Sequence, residues 1–321
     1  MMAKIHINTN AAGPGQEYTN CMLCPRKCGV DRSISCGYCR ERNRIRIARA
    51  GLHMWEEPCI SGISGSGAVF FTGCNMGCVF CQNKNISRGG TGKEITVDRL
   101  AEIFYELKEQ GANNINLVSA DIYIPSVRIA IEGVKRNGFD LPFILNTSGY
   151  INAKSIEGLE GLIDIYLPDM KYIRGDDALR YSNASDYPEM CKIAIDEMVR
   201  QQPECVFKET NEGKMLKRGV VVRHLLMPGM LIQAKMIIKY LHERYTDRIL
   251  ISLMNQYVPN GELETYPEIN RRVSENEYRS LIRYAQSIGV TEGYIQDKAS
   301  ADEAFIPEFD LTGVDSKREI L

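Results

Sequence analysis

The stretch Gly67-Ala-Val-Phe-Phe-Thr-Gly73-Cys74-Asn-Met-Gly-Cys78-Val-Phe-Cys81-Gln-Asn83 decides how the chain is read. Its first half, GAVFFTG, is a short apolar run stopped by glycine, the composition of a buried strand. Its second half turns at once into three thiols at C-x3-C-x2-C spacing, on one loop at the strand's carboxyl end. Thiolates are soft ligands suited to iron–sulfur clusters or zinc. A structural zinc site closes with four ligands, often two CxxC pairs, whereas three on a loop leave one metal corner open, as a catalytic cluster requires. A zinc knuckle completed by a distant residue is the alternative.

Downstream of this loop, apolar strands alternate with amphipathic helices. Thr96 caps a helix over 97–110, whose stripe is Leu100, Ile103, Phe104 and Leu107 and whose stop is Gly111. NINLVS (114–119) is the next strand, and Pro125 opens a helix that ends near Gly138. FILNTSG, IDIYLPDMK, VVVRHLLM and ILISLMNQ read as four further strands, separated by helical stretches near 152–160, 188–201 and 231–244. Ser274 and Glu277 form a capping box for a last helix marked by Tyr278, Leu281, Ile282, Ala285 and Ile288. CVFKETNEGKMLKRGVVV reads as a hairpin turning at Asn211-Glu212-Gly213.

Six strands alternating with helices predict an α/β fold with a parallel sheet. An eight-unit closed barrel takes about 250 residues, so residues 63–300 suit a partial (β/α)6 TIM-like barrel. A doubly wound open sheet is the alternative; in either, function collects at the carboxyl ends of the strands. Residues 1–62 are then a cysteine-rich N-terminal extension and 301–321 a C-terminal tail.

Composition narrows the function class. The 321 residues are 44% hydrophobic and 25% charged, the balance of a globular protein. With 39 basic and 41 acidic residues the net charge is −2, so no global field draws the chain to nucleic acid or anionic lipid. No apolar run approaches the roughly 18 residues of a membrane span. The start, MMAKIHINTN, lacks the layout of a signal peptide, so the expected compartment is the cytoplasm. Nine of the eleven cysteines lie between Cys21 and Cys81, leaving Cys191 and Cys205 outside. In a cytosolic chain such clustering means metal or redox chemistry rather than disulfides.

The second thiol group is Cys21, Cys24, Cys28, Cys36 and Cys39, of which four suffice for zinc or a second cluster. Free buried thiols are the bland alternative, and a thioredoxin-type CxxC is disfavoured because no βαβ pattern surrounds it. Arg40, Arg42, Arg44, Arg46 and Arg49 alternate with Ile45 and Ile47, which predicts a strand with a solvated face rather than a nucleic-acid patch. GLHMWEEPCISG, with His53, Trp55 and Cys59, reads as packing, with Cys59 an additional ligand candidate.

Taken together, GCNMGCVFCQN, NTSGY, DIYLPDMK, VVRHLLMPG, SLMNQY and FIPEFD resemble the radical S-adenosylmethionine superfamily over residues 55–310. More narrowly, they resemble the enzymes related to pyruvate formate-lyase activating enzyme. The resemblance implies that Cys74, Cys78 and Cys81 hold a [4Fe–4S] cluster whose fourth iron is chelated by S-adenosylmethionine. One electron from the reduced cluster then cleaves the cofactor to methionine and a 5′-deoxyadenosyl radical, which removes hydrogen from substrate. A reductant such as flavodoxin or ferredoxin is the implied partner.

Several cofactor-binding residues follow from the same resemblance. Phe80 lies against the adenine, with ordinary packing as its alternative; Asn146 and Ser148 contact the ribose, with turn stabilisation as theirs. Asp169 and Lys171 share a strand face where the lysine meets the cofactor carboxylate, the alternative being a surface ion pair. Arg223 points inward and His224 into packing. Ser119-Ala120-Asp121 stands where the family has Gly-Gly-Glu, so Ser119 and Asp121 are candidates to bind the methionine amino group. Gly77 stands where activases carry arginine, which removes a cation near the cluster. The head resembles CxLCPRxC…GxC segments in a subset of the group, and this selects Cys21, Cys24, Cys28 and Cys39 as ligands of a second centre, zinc or [4Fe–4S]. The implied activity is hydrogen abstraction, with activation of a glycyl radical enzyme as one option. Modification of a peptide, small molecule or nucleic-acid base, or a non-catalytic iron–sulfur or zinc protein, are the others.

Overall fold

The computed structural model describes residues 15–88, 90–260, 263–296 and 307–315; the remaining parts of the polar start and of the C-terminal tail lie outside the described residues. The strands are β1 (Ile45–His53), β2 (Ser66–Phe71), β3 (Lys93–Ile95), β4 (Ile115–Val118), β5 (Phe143–Thr147), β6 (Ile165–Pro168), β7 (Val206–Thr210), β8 (Gly213–Leu225), β9 (Leu250–Met254) and β10 (Gly293–Ile295). They form one sheet in the order β10-β9-β8-β6-β5-β4-β2-β1-β3, with β7 hydrogen-bonded to β8. All neighbours from β2 through β10 along this path pair in parallel, whereas β1 pairs antiparallel with both β2 and β3. This is the expected α/β architecture: the six parallel strands of a partial barrel, with a seventh, β10, at one edge.

The physical reason is burial on two faces. Every residue of β2, β4, β6 and β9 is buried, as parallel strands between a helical layer and a filled interior must be. The helices Val97–Glu109, Ile124–Arg136, Tyr187–Gln201, Leu231–Tyr245 and Glu275–Ser287 supply the crossovers. Thr96 caps the first by accepting from the Arg99 N–H, and Ser274 with Glu277 completes the expected capping box. Among the described residues, no helix is long and apolar enough to cross a membrane.

Register sets the functional rim. Val118 stands level with Asn146, Asn146 with Leu167, Thr147 with Pro168, and Asp169 with Arg223. The carboxyl ends of β4, β5, β6 and β8 therefore finish together beside the loop that follows β2.

The opposite end is closed by the short helix Pro58–Ser61. Asn114 Nδ2 bonds the Ile60 carbonyl at 2.8 Å and Asn113 Nδ2 the Ser61 carbonyl at 2.8 Å. Glu212, in the expected hairpin turn between β7 and β8, accepts from the N–H groups of Ile63 (2.8 Å) and Ser64 (3.1 Å) and from Asn113 Nδ2 (2.9 Å). Gly62, at φ 55°, passes under this carboxylate so closely that a side chain there would collide with it. Of the arginine-rich run only Arg46 and Arg49 fall in the strand β1, both half-buried; Arg40, Arg42 and Arg44 precede it, so the expected strand with a solvated face is met only in part. Residues 307–315 run beside it, with Leu311 N bonded to the Ala48 carbonyl, Ala50 N to the Thr312 carbonyl, and Arg49 paired with Asp310 at 2.9 Å.

Candidate functional site

The loop after β2 is fixed from several sides. Gly73 (φ 80°) brings the backbone within 2.9 Å of the Cys39 carbonyl, measured from where a Cβ would stand, so no larger residue fits. Gly73 N bonds the Ile86 carbonyl at 2.9 Å, and Asn75 Nδ2 bonds the Tyr150 carbonyl at 2.6 Å. Arg26, from the cysteine-rich head, donates to the carbonyls of Asn75 (2.8 Å), Met76 (3.1 Å) and Asn183 (2.5 Å), its guanidinium 4.1 Å from the centre of the Tyr38 ring. Arg88 Nη2 donates to the Gly77 carbonyl at 2.9 Å and fills the place a side chain at 77 would take. The expectation that Gly77 strips a cation from this loop is thus corrected: Arg88 folds back eleven residues and puts one there.

Cys74, Cys78 and Cys81 open onto a cavity of about 620 Å³ at the carboxyl ends of the strands. Phe80 lines it beside Tyr257, ring centres 5.9 Å apart. Ser119, Asn146 and Ser148 form part of the wall, as do Asp169, Lys171 and Arg223. Ser119 adopts φ 61°, a left-handed conformation that glycine takes freely, so the serine keeps a glycine-like backbone. Asp121 does not line the cavity. The 3₁₀ turn Ala120–Tyr123 carries it behind the wall, where one carboxylate oxygen finds no hydrogen-bond partner among the described residues.

The electrostatics follow from burial. Burial pushes the Cys74 thiol up to about 12, reinforced by Cys78 and Cys81. Burial raises Cys78 too, opposed by the charge of Lys171 and by the Ser182 hydroxyl, whose Oγ lies 2.9 Å from the sulfur. Such thiols ionise when a metal takes their electrons. Lys171 is paired with Asp169, and with 17% side-chain exposure the pair lies in the cavity wall rather than on the surface. Burial alone would lower the lysine, but Asp169 and the neighbouring sulfurs hold it well above its usual range. Asp121 is raised to about 7, because desolvation outweighs its hydrogen bonds to Thr147 and Ser148.

Two functional side chains escape sequence reading. Glu56 and Glu57, inside the segment read as packing, converge on Arg223, and both line the cavity. Arg223 Nε bonds Glu57 at 2.9 Å, and Nη2 meets both carboxylates. Asn116 Nδ2 holds Glu56 at 2.7 Å. Two adjacent acids before a proline, in a chain with an inward strand arginine, were the available signal. His224 packs as expected: it is buried, its Nδ1 is 2.8 Å from the Met170 carbonyl, and burial lowers it to about 4.

The donor set fits an iron–sulfur cluster: three sulfurs on one loop, a buried lysine beside them, and a cavity large enough for a cofactor. Among the described residues no three His, Cys, Asp or Glu side chains converge on a single metal ion. A cubane does not ask this of its ligands, since each thiolate binds its own iron. The head lies directly against this loop. Cys21, Cys24 and Cys39 are buried, Cys28 half-buried and Cys36 exposed, and Cys24 reaches the Asn75 side chain. Cys59 sits apart, in the apolar cluster with Ile60, Ile144 and Ile165.

Residues 68–202 match the radical SAM superfamily model. The chain is 27% identical over 278 residues to the uncharacterized protein MJ0674 of Methanocaldococcus jannaschii, covering 84% of this chain and 75% of that one. Similar solved structures include Streptococcus suis SuiB bound to its precursor peptide SuiA (TM-score 0.47, 14% identity, 70% of this chain and 46% of that one). A radical SAM methyltransferase from Sphaerobacter thermophilus has a TM-score of 0.47 and 14% identity over 72% of this chain and 66% of its own. The hydrogenase maturase HydG from Carboxydothermus hydrogenoformans has a TM-score of 0.47 and 12% identity over 80% and 56%. The chain spans about half the length of the SuiB structure it matches.

Proposed function

We propose that the chain is an enzyme that cleaves S-adenosylmethionine reductively at a [4Fe–4S] cluster held by Cys74, Cys78 and Cys81, and directs the radical at a hydrogen atom of its substrate. The observation that carries this reading is the shared rim: three thiols, the buried Lys171 and one cavity meet where six parallel strands end. Bound there, cluster and cofactor supply a one-electron reduction and a hydrogen-abstracting radical. The chain's own residues supply position and exclusion of water.

In this reading Lys171 holds the cofactor carboxylate while Asp169 keeps the lysine charged and aimed. Ser119 offers backbone groups to the methionine amino end, with Asp121 behind it. Asn146 and Ser148 face the ribose, and Phe80, backed by Tyr257, covers the adenine. Arg88 and Arg26 place two guanidinium groups on the carbonyls of the cluster loop. Electrons come from a flavodoxin- or ferredoxin-type donor. The substrate class is a protein segment, activation of a glycyl radical enzyme being the case we favour, because a backbone glycine brings the least bulk into a cavity already shared with the cofactor.

The test is anaerobic. Reconstituted with iron and sulfide, then reduced with dithionite, the chain should convert S-adenosylmethionine to 5′-deoxyadenosine; a non-catalytic electron carrier would form none. A glycine-centred electron paramagnetic resonance signal on an added partner would establish the substrate, and its absence with every glycyl radical candidate would turn the reading toward another target.

A further inference from the structure

We infer that the end of the cavity away from the three thiols is a subsite for a cationic group of the substrate, an ammonium or guanidinium, received by the Glu56 carboxylate. This rests on the proposed radical enzyme only in calling the ligand a substrate.

The cavity is longer than its thiol end. His53 stands level with Ser66, the first residue of β2, while Cys74 lies beyond the last, Phe71, and both His53 and Cys74 line the cavity. Five steps along such a strand span about 17 Å, so a cofactor on the thiols leaves room toward the other end. Glu56, Glu57, Arg223 and Ser252 lie in that part of the wall.

The two acids do different work. Glu57 is saturated, because Arg223 Nε and Nη2 take one oxygen each and the Ser252 hydroxyl bonds it as well. Glu56 shares only Nη2, and its other oxygen accepts from Asn116 Nδ2 at 2.7 Å and Asn146 Nδ2 at 3.4 Å. One guanidinium thus answers two carboxylates. Lys171 and Asp169 cancel each other, and burial holds His53 below its usual range, so the imidazole adds no cation at neutral pH. Among the described residues that line the cavity, three carboxylates therefore face two cations. A cluster on three thiolates carries about one negative charge and S-adenosylmethionine about one positive, so loading the thiol end leaves the imbalance in place. An unanswered charge in a buried wall is costly, and a cation on the ligand removes that cost.

Asn116 points to a donor independently. It is fully buried and stands two residues before Val118 on β4, hence on the face that lines the cavity. Its Nδ2 is committed to Glu56, which fixes the orientation of the amide, and its Oδ1 has no hydrogen-bond partner among the described residues. The asparagine thus aims the carboxylate while its own acceptor goes unsatisfied. An ammonium or guanidinium carries N–H groups for both and positive charge for one. Trp55, Phe70 and Tyr294 also line the cavity, and aromatic faces attract cations.

The test compares ligands that differ in charge. Acetyl-glycyl-Xaa-glycinamide, with lysine, arginine or the apolar isostere norleucine at the centre, is titrated by calorimetry into the reconstituted full chain, with and without S-adenosylmethionine. The lysyl and arginyl peptides should bind at least about tenfold more tightly than the norleucyl one, the scale of a hydrogen bond to a charged group. Butylguanidinium, titrated beside them, separates the sources: affinity equal to the arginyl peptide assigns the subsite to a small amine, and weaker affinity to a peptide side chain. Glu56→Gln should abolish the preference for charge and leave S-adenosylmethionine affinity unchanged. Glu57 still pairs with Arg223 in this variant, so no stranded cation remains to unfold it. Should it nevertheless fail to fold, Asn116→Ala, which frees Glu56 to turn away, should reduce the same preference. No preference in the wild type, or one that survives Glu56→Gln, overturns the subsite. So does an equal loss of S-adenosylmethionine affinity, which would put Glu56 on the cofactor instead. The activity fails separately: a chain that forms no 5′-deoxyadenosine but prefers the cationic peptides keeps the subsite, whereas product without that preference overturns the subsite alone.

Discussion

Arg223→Met probes the buried charge network most sharply. Glu56 and Glu57 keep 7% and 6% of their side-chain exposure, and both lean on this one guanidinium. Removing one partner of a buried pair costs about 3–5 kcal/mol, because the other charge is left stranded out of water. Two carboxylates share the cation here, so urea unfolding of the unloaded chain at neutral pH should show a loss in that range. The pH dependence gives the sign. Burial alone would raise Glu57, yet the charge and hydrogen bond of Arg223 prevail and hold it below its ordinary 4.5. A depressed folded-state value contributes stability above the unfolded value and loses it as pH falls through the folded one. The wild-type chain therefore loses this contribution on acidification below 4.5. In the variant Glu57 instead takes up a proton early, so the deficit against wild type should shrink steadily from pH 7 toward pH 4. Adding Glu56→Gln and Glu57→Gln should recover most of the loss, since no stranded charge remains. A deficit under about 1 kcal/mol, the scale of an exposed pair, or one that does not change with pH, would refute the reasoning.

Lys171→Ala should weaken S-adenosylmethionine binding by about 1.5–3 kcal/mol, read by calorimetry on the reconstituted chain, with the cluster retained. An unchanged dissociation constant would leave Lys171 as a partner of Asp169 alone. Asp121 is raised from 3.8 to about 7, so the folded chain holds an extra proton; its stabilising contribution is present below 3.8 and lost as pH rises through 7. Asp121→Asn should accordingly flatten the stability profile between those values and gain on wild type at pH 8, and an unaltered slope would contradict this.

The strands that carry the site were legible because each is a buried apolar run ended by a glycine, polar or proline stop, as in GAVFFTG and FILNTSG. β3 and β10 were not, for they have three residues each, partly exposed, too short to show a period. The exposed face of Gly175–Ser182 hid a further helix behind the chain's charges. At the site, alternation along a strand was enough to set Asp169 beside Lys171 and Arg223 apart from His224. Glu56 and Glu57 could not be found that way, because they meet Arg223 only through a contact that spans 166 residues. Asp121 lies off the wall because a turn, not a strand, carries it, and strand alternation says nothing about turns. Arg32 looked like one arginine among many, and it is buried against Ile122, whose carbonyl it bonds ninety residues on.

The most direct measurement sets iron content beside 5′-deoxyadenosine yield, in the reconstituted wild-type chain and in the variant with Cys74→Ala, Cys78→Ala and Cys81→Ala. The wild type should form 5′-deoxyadenosine under dithionite, and the variant should lose both that product and the loop's share of about four irons per chain. Cleavage surviving in the variant would contradict the assignment of the catalytic centre to this loop.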